Sequence, residues 1–148
     1  MSGVQQPRPP EYRLITRWVL PADPERVWST LADPLTTWPQ WWPGLRADGD
    51  GFVLRPARWA YALRFTVTLV AEDPPRTARV AVTGDLVGTG LVELRPTPAG
   101  STLELDWRVR TTRPWMIRTA PLLAPVFRRA HAHAMNRGYS ALSRLLTA

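Results

Sequence analysis

Between about residues 44 and 113 the chain alternates apolar and polar side chains in one segment after another, with no helical pattern between them. "TLELDWRVR" shows this most strictly. Leu103, Leu105, Trp107 and Val109 fall on one side, and Glu104, Asp106, Arg108 and Arg110 on the other. A period of two is that of an extended strand with one face turned to a core. "WAYALRFTVTLV" repeats it, with Trp59, Tyr61, Leu63, Phe65, Val67 and Leu69 opposite Arg64, Thr66 and Thr68. "RTARVAVTG" sets Ala78, Val80 and Val82 against Arg79, and "DLVGTGLVELRP" puts Gly88 and Gly90 on the face of Val92 and Leu94. "DGDG", "AEDPP" and "TPAGS" supply the turns. Parallel strands need long crossover connections, usually helical, so this run predicts an antiparallel sheet with one face to cover.

The flanking segments supply the cover. "EYRLITRWVL" is one more strand, with Leu14, Trp18 and Leu20 facing in. In "PADPERVWSTLADP", Asp23 is a helix N-cap and Pro24 sits at the first helical position, where its missing N–H costs nothing. Val27, Trp28 and Leu31 then form a stripe at helical spacing. Asp33-Pro34 repeats the signal, and Pro39 predicts a second helix of about one turn. At the other end, Pro121 and Pro125 predict a broken start to a helix over about 126–146. Phe127, His131, Ala134, Met135, Gly138, Leu142 and Leu145 lie on one side of it, and Arg129, His133, Asn136, Arg137, Ser140 and Arg144 on the other. The expectation is an α+β fold. A curved antiparallel sheet of six to seven strands wraps a long C-terminal helix, two short helices follow the first strand, and a cavity lies between sheet and long helix.

Taken in order, "ADPERVWSTLADP", "WPQWWPG", "GTGLVELRP", "LDWRVR" and "RRAHAHAMNRGYSALSRLL" resemble the START-like (SRPBCC, helix-grip) superfamily, in its polyketide cyclase/dehydrase branch. The resemblance spans roughly residues 11–148. It implies an apolar ligand enclosed under the long helix. Chemistry varies across that superfamily, so the resemblance implies binding more than any particular reaction. Residues 11–148 are expected to form a single ligand-binding domain, and residues 1–10, with "QQPRPP", a flexible lead.

Candidate site residues follow from the inward faces. "TTWPQWWPG" gathers Trp38, Trp41 and Trp42, and indoles of that size either plug an opening or wall a site. Trp38 is expected to be structural, with Trp41 or Trp42 at the cavity mouth. Tyr61, Phe65, Trp107 and Met135 are expected to border the cavity, and Gly88 and Gly90 to make space for the long helix or the ligand. Trp18, Trp28 and Trp59 read as core. His131 shares the inward side of the last helix, where it is either a ligand-binding or acid–base group or a satisfied core histidine. Tyr61 is the other catalytic candidate. His133 points the opposite way, the chain has no cysteine, and the acids fall on outward faces or in turns, so neither metal nor cofactor is expected. Nucleophile elbow, phosphate loop and dinucleotide fingerprint are all missing.

Three functional readings remain. The first is a binding protein for a small hydrophobic molecule, polycyclic or acyl and lipid-like. The second is a cyclase- or dehydratase-like enzyme using the same cavity with His131 and Tyr61. The third is an anionic-surface or nucleic-acid binder acting through the C-terminal region. All 19 basic residues are arginine and the net charge is +7. Residues 107–148 hold eight of those arginines and no acid. That asymmetry fits a solvated helix face, or a surface for an acidic carrier protein. No nucleic-acid motif accompanies it, so no nucleic acid is expected. Without a signal-peptide pattern or an apolar run near 20 residues, the expected location is the cytoplasm and no transmembrane segment is expected.

Overall fold

A computed structural model describes residues 11–56 and 61–147. The chain runs β1 (Glu11–Leu20), α1 (Pro24–Leu31), α2 (Pro34–Trp41), β2 (Leu45–Asp48), β3 (Gly51–Leu54), β4 (Leu63–Asp73), β5 (Thr77–Gly84), β6 (Leu86–Thr97), β7 (Gly100–Thr111) and α3 (Pro114–Thr147). The strands form one curled antiparallel sheet in the order β1-β7-β6-β5-β4-β3-β2. Strand alternation sets its two faces. On β7, Leu103, Leu105 and Val109 are buried, while Arg13 and Arg17 of β1 pair across the outer face with Asp106 and Glu104, each at 3.3 Å. The inner face buries Trp18, Leu20, Leu103 and Leu105 in one cluster with Met135, Leu142 and Leu146 of α3. Tyr139 fixes α3 to the edge strand β1, its hydroxyl donating to the Val19 carbonyl at 2.8 Å. The expectations for residues 1–10 and Trp59 lie outside the described residues.

The helices depart from expectation at their prolines. α1 is capped as predicted, with the Asp23 carboxylate accepting from the Arg26 N–H at 2.9 Å. α2 continues through Pro39 for eight residues rather than one turn. Asp33 precedes it without capping it: its backbone is left-handed (φ 57°) and its side chain makes no cap hydrogen bond. α3 begins at Pro114 and passes through Pro121 and Pro125 unbroken, twelve residues earlier than expected. A proline inside a helix costs about 3 kcal/mol. Here both lie on the exposed side, while Met116, Ala120, Phe127 and Ala130 of the same helix are buried. That burial offsets the local cost. At the far end Leu146 takes the inward position expected of Leu145, which is 42 % exposed.

Candidate functional site

The tryptophan segment is built into the fold through its indole N–H groups. Trp38 Nε1 donates to the Leu31 carbonyl at 3.0 Å, using one of the acceptors left open at the end of α1. Trp42 Nε1 donates to the Ala134 carbonyl of α3 at 3.1 Å, a buried bond between two distant parts of the chain. Gly138, one turn after Ala134, makes that approach possible. A Cβ there would collide with Cε2 and Cζ2 of the Trp42 ring. Trp42 also leans on Trp18 and Trp38, each with a 5.8 Å ring separation, and Trp41 stacks on it at 5.5 Å and 18°.

Next to this framework lies a cavity of about 200 Å³. Its walls are the inner face of the sheet on one side and α1–α2 on the other. Trp18, Trp28, Trp38, Trp42 and Trp107 bring five indoles to it, and aliphatic side chains from β4 to β7 make up most of the remainder. Trp107 lies across its strand partner Gly90, where a Cβ would press into the ring. Gly90 thus makes room for a tryptophan of the wall rather than directly for helix or ligand. No residue of α3 lines the space. The cavity sits beside α3 instead of beneath it, because the Trp42–Gly138 contact closes the gap under that helix.

The other predicted residues scatter. Trp42 and Trp107 line the cavity; Trp41, Phe65 and Met135 do not. The Trp41 indole N–H is buried without a partner among the described residues. Phe65 packs on Phe52 at 5.7 Å, and Met135 belongs to the core cluster. Tyr61 meets the rings of Trp115 and Phe127 edge-on at 5.6 Å each, and burial pushes its hydroxyl up to about 12. His131 is part-buried on α3, one turn from both Phe127 and Met135, and burial holds its imidazole down at about 4. At neutral pH both groups are uncharged, and neither lines the cavity. Sequence reasoning assigned Trp18 and Trp28 to the core alone, although their inward positions put them on the wall. It also missed Asp33 and Glu72, the two charged residues of the lining among the described residues. Glu72 could not be found by alternation, because a β-bulge between Leu69 and Ala71 shifts the register and pairs Glu72 with Ala78.

A family model described as polyketide cyclase/dehydrase and lipid transport matches residues 15–147. The chain belongs to this family. No curated protein matches it by sequence. Among solved structures it is similar to a Rhodobacter sphaeroides protein (20 % identity, TM-score 0.64, 91 % of this chain and 92 % of that one). It is similar also to Thalictrum flavum norcoclaurine synthase, solved with a transition-state analogue (16 %, TM-score 0.56, 96 % and 98 %). A third likeness is to StfQ, the di-domain ARO/CYC of the steffimycin biosynthetic pathway (12 %, TM-score 0.62, 93 % of this chain and 52 % of that one). At these identities the likeness shows the shared fold.

Two further features bear on how a member of this family could act. A shallow cleft of about 330 Å³ runs along the outer side of α3, lined by Pro43, His133, Asn136, Arg137, Ser140 and Arg144 among others. Among the described residues it carries two arginines and no acid. Among the described residues no group of three or more His, Asp or Glu is placed to hold a metal ion, and no helix is long and apolar enough to cross a membrane.

Proposed function

We propose that the protein binds a small hydrophobic molecule, polycyclic or acyl, in the tryptophan-lined cavity between the sheet and α1–α2. The observation that carries this reading is the cavity itself, a void of about 200 Å³ walled by five indoles. Concave, mostly apolar space of this kind is the usual setting for a small-molecule site. Removing about 300 Å² of apolar surface from water contributes roughly 7 kcal/mol toward binding before association costs are met. Trp107 keeps a buried indole N–H without a partner among the described residues.

The test uses the neutral probe N-phenyl-1-naphthylamine. It should quench tryptophan fluorescence saturably and brighten as it enters the cavity. Val92→Trp, which fills the lined space, should abolish both signals while far-UV circular dichroism stays native. Unchanged probe binding in that variant would refute the cavity as the site.

The family also supports a cyclase- or dehydratase-like reading. In this chain such an activity would depend on holding a reactive, flexible substrate in a productive shape rather than on a strong acid–base pair. An acidic carrier protein bringing a tethered substrate would suit Arg129, Arg137 and Arg144 on α3, none of which is in an ion pair among the described residues.

A further inference from the structure

We infer that the cavity selects ligands by charge, taking an apolar body that carries a cationic head, such as a protonated amine, and disfavouring carboxylate amphiphiles. The inference rests on the binding reading above and adds the ligand class. Asp33 and Glu72 both line the cavity and both are exposed, so they stand where it opens to solvent. Among the described residues no arginine lines it, in a chain that has 19. Of the ten other acids, six are in ion pairs and Asp23 caps α1, while Glu11, Glu25 and Asp50 are unpaired among the described residues but do not line the cavity. The carboxylates of Asp33 and Glu72 have no hydrogen bond or ion pair among the described residues.

The aromatic lining agrees with this choice of ligand. An ammonium group close to the face of an indole is attracted by the ring's quadrupole, and Trp28 and Trp38 share the lining with Asp33. A cation at this mouth therefore meets two free carboxylates and indole surface, while a carboxylate ligand meets only repulsion. The preference runs against the protein as a whole. A net charge of +7 draws anions toward the surface from a distance. Near physiological ionic strength that field is screened beyond about 8 Å, whereas contacts at the mouth persist.

The experiment is calorimetric titration at 0.15 M salt with three probes that share one apolar body: 2-(1-naphthyl)ethylamine, 2-(1-naphthyl)ethanol and 1-naphthylacetate. The expected order of affinity is amine, alcohol, acetate. The amine should exceed the alcohol by about threefold to tenfold, the range of one or two solvated ion pairs. In Asp33→Asn/Glu72→Gln the amine and alcohol should come within twofold of each other. Asn tolerates the left-handed backbone as Asp does, so the variant keeps its local conformation. Equal binding of amine and alcohol by the native protein, or an unchanged preference in the double variant, overturns the charge selection and leaves the apolar site standing. Failure of the neutral alcohol to bind at all overturns the site, and the selection with it.

Discussion

The inner face of the sheet is covered in two ways along its length. At one end Tyr12, Leu63, Val109, Met116 and Phe127 form a closed cluster, with Tyr61 and Trp115 meeting Phe127 edge-on. At the other, Trp18, Leu103 and Leu105 face α1–α2 across a cavity. Both ends are rich in aromatic residues, so ring content does not decide which is filled. Attachment does. At the filled end α3 supplies Met116 and Phe127 directly to the cluster. At the hollow end Trp38 and Trp42 are tied by their N–H groups to fixed carbonyls of α1 and α3. A ring held this way cannot slide into the space beside it without giving up its hydrogen bond. Such tryptophans hold a wall in place instead of filling what lies behind it.

On this contrast, Phe127→Ala should be the most costly single truncation, about 4 kcal/mol by urea denaturation, and should leave the affinity for N-phenyl-1-naphthylamine unchanged. Gly138→Leu should cost about 3 kcal/mol, because it expels the Trp42 ring and breaks a buried hydrogen bond. Near-UV circular dichroism should change with it and probe binding should be lost. Preserved binding in Gly138→Leu would mean that Trp42 does not shape the wall.

The acid limb of the stability curve sharpens the comparison further. His131 is neutral when folded down to about pH 4, whereas the unfolded chain takes up the proton near its ordinary value of 6.5. The unfolded state therefore binds more protons between those values. Stability is full above about pH 6.5 and falls as pH drops toward 4, by about 2–3 kcal/mol. In His131→Leu that portion of the curve should flatten. The smallest effect belongs to the hollow end. Trp28→Ala, at a part-exposed wall position beside an existing void, should cost about 1 kcal/mol yet weaken probe binding severalfold.

Much of the architecture was legible because it rests on periodicity. The period of two in β7 and the stripe from Phe127 through Leu142 reported which faces are buried before any contact was known. Pro39, Pro121 and Pro125 were misread because local helix cost is visible in sequence and the tertiary burial that offsets it is not. The position of the cavity depended on Trp42 meeting Gly138, ninety-six residues away, and no local pattern encodes that contact. Glu72 was hidden by the bulge, and Asp33 by a capping signal that its left-handed backbone does not use. The inward face of Trp107 was readable because strict alternation in β7 leaves it one choice.

The strand order has a mechanical consequence. β1 and β2 lie at opposite edges of the sheet, and α1–α2 is the stretch of chain that joins them. The outer wall of the cavity is thus a span anchored at both margins of the concave face. It has no free end to swing like a hinged door. The two helices of that span meet at Ala32 and Asp33, and the indole bonds of Trp38 and Trp42 fasten it from within to the end of α1 and to α3, so the wall is held at its margins and along its middle.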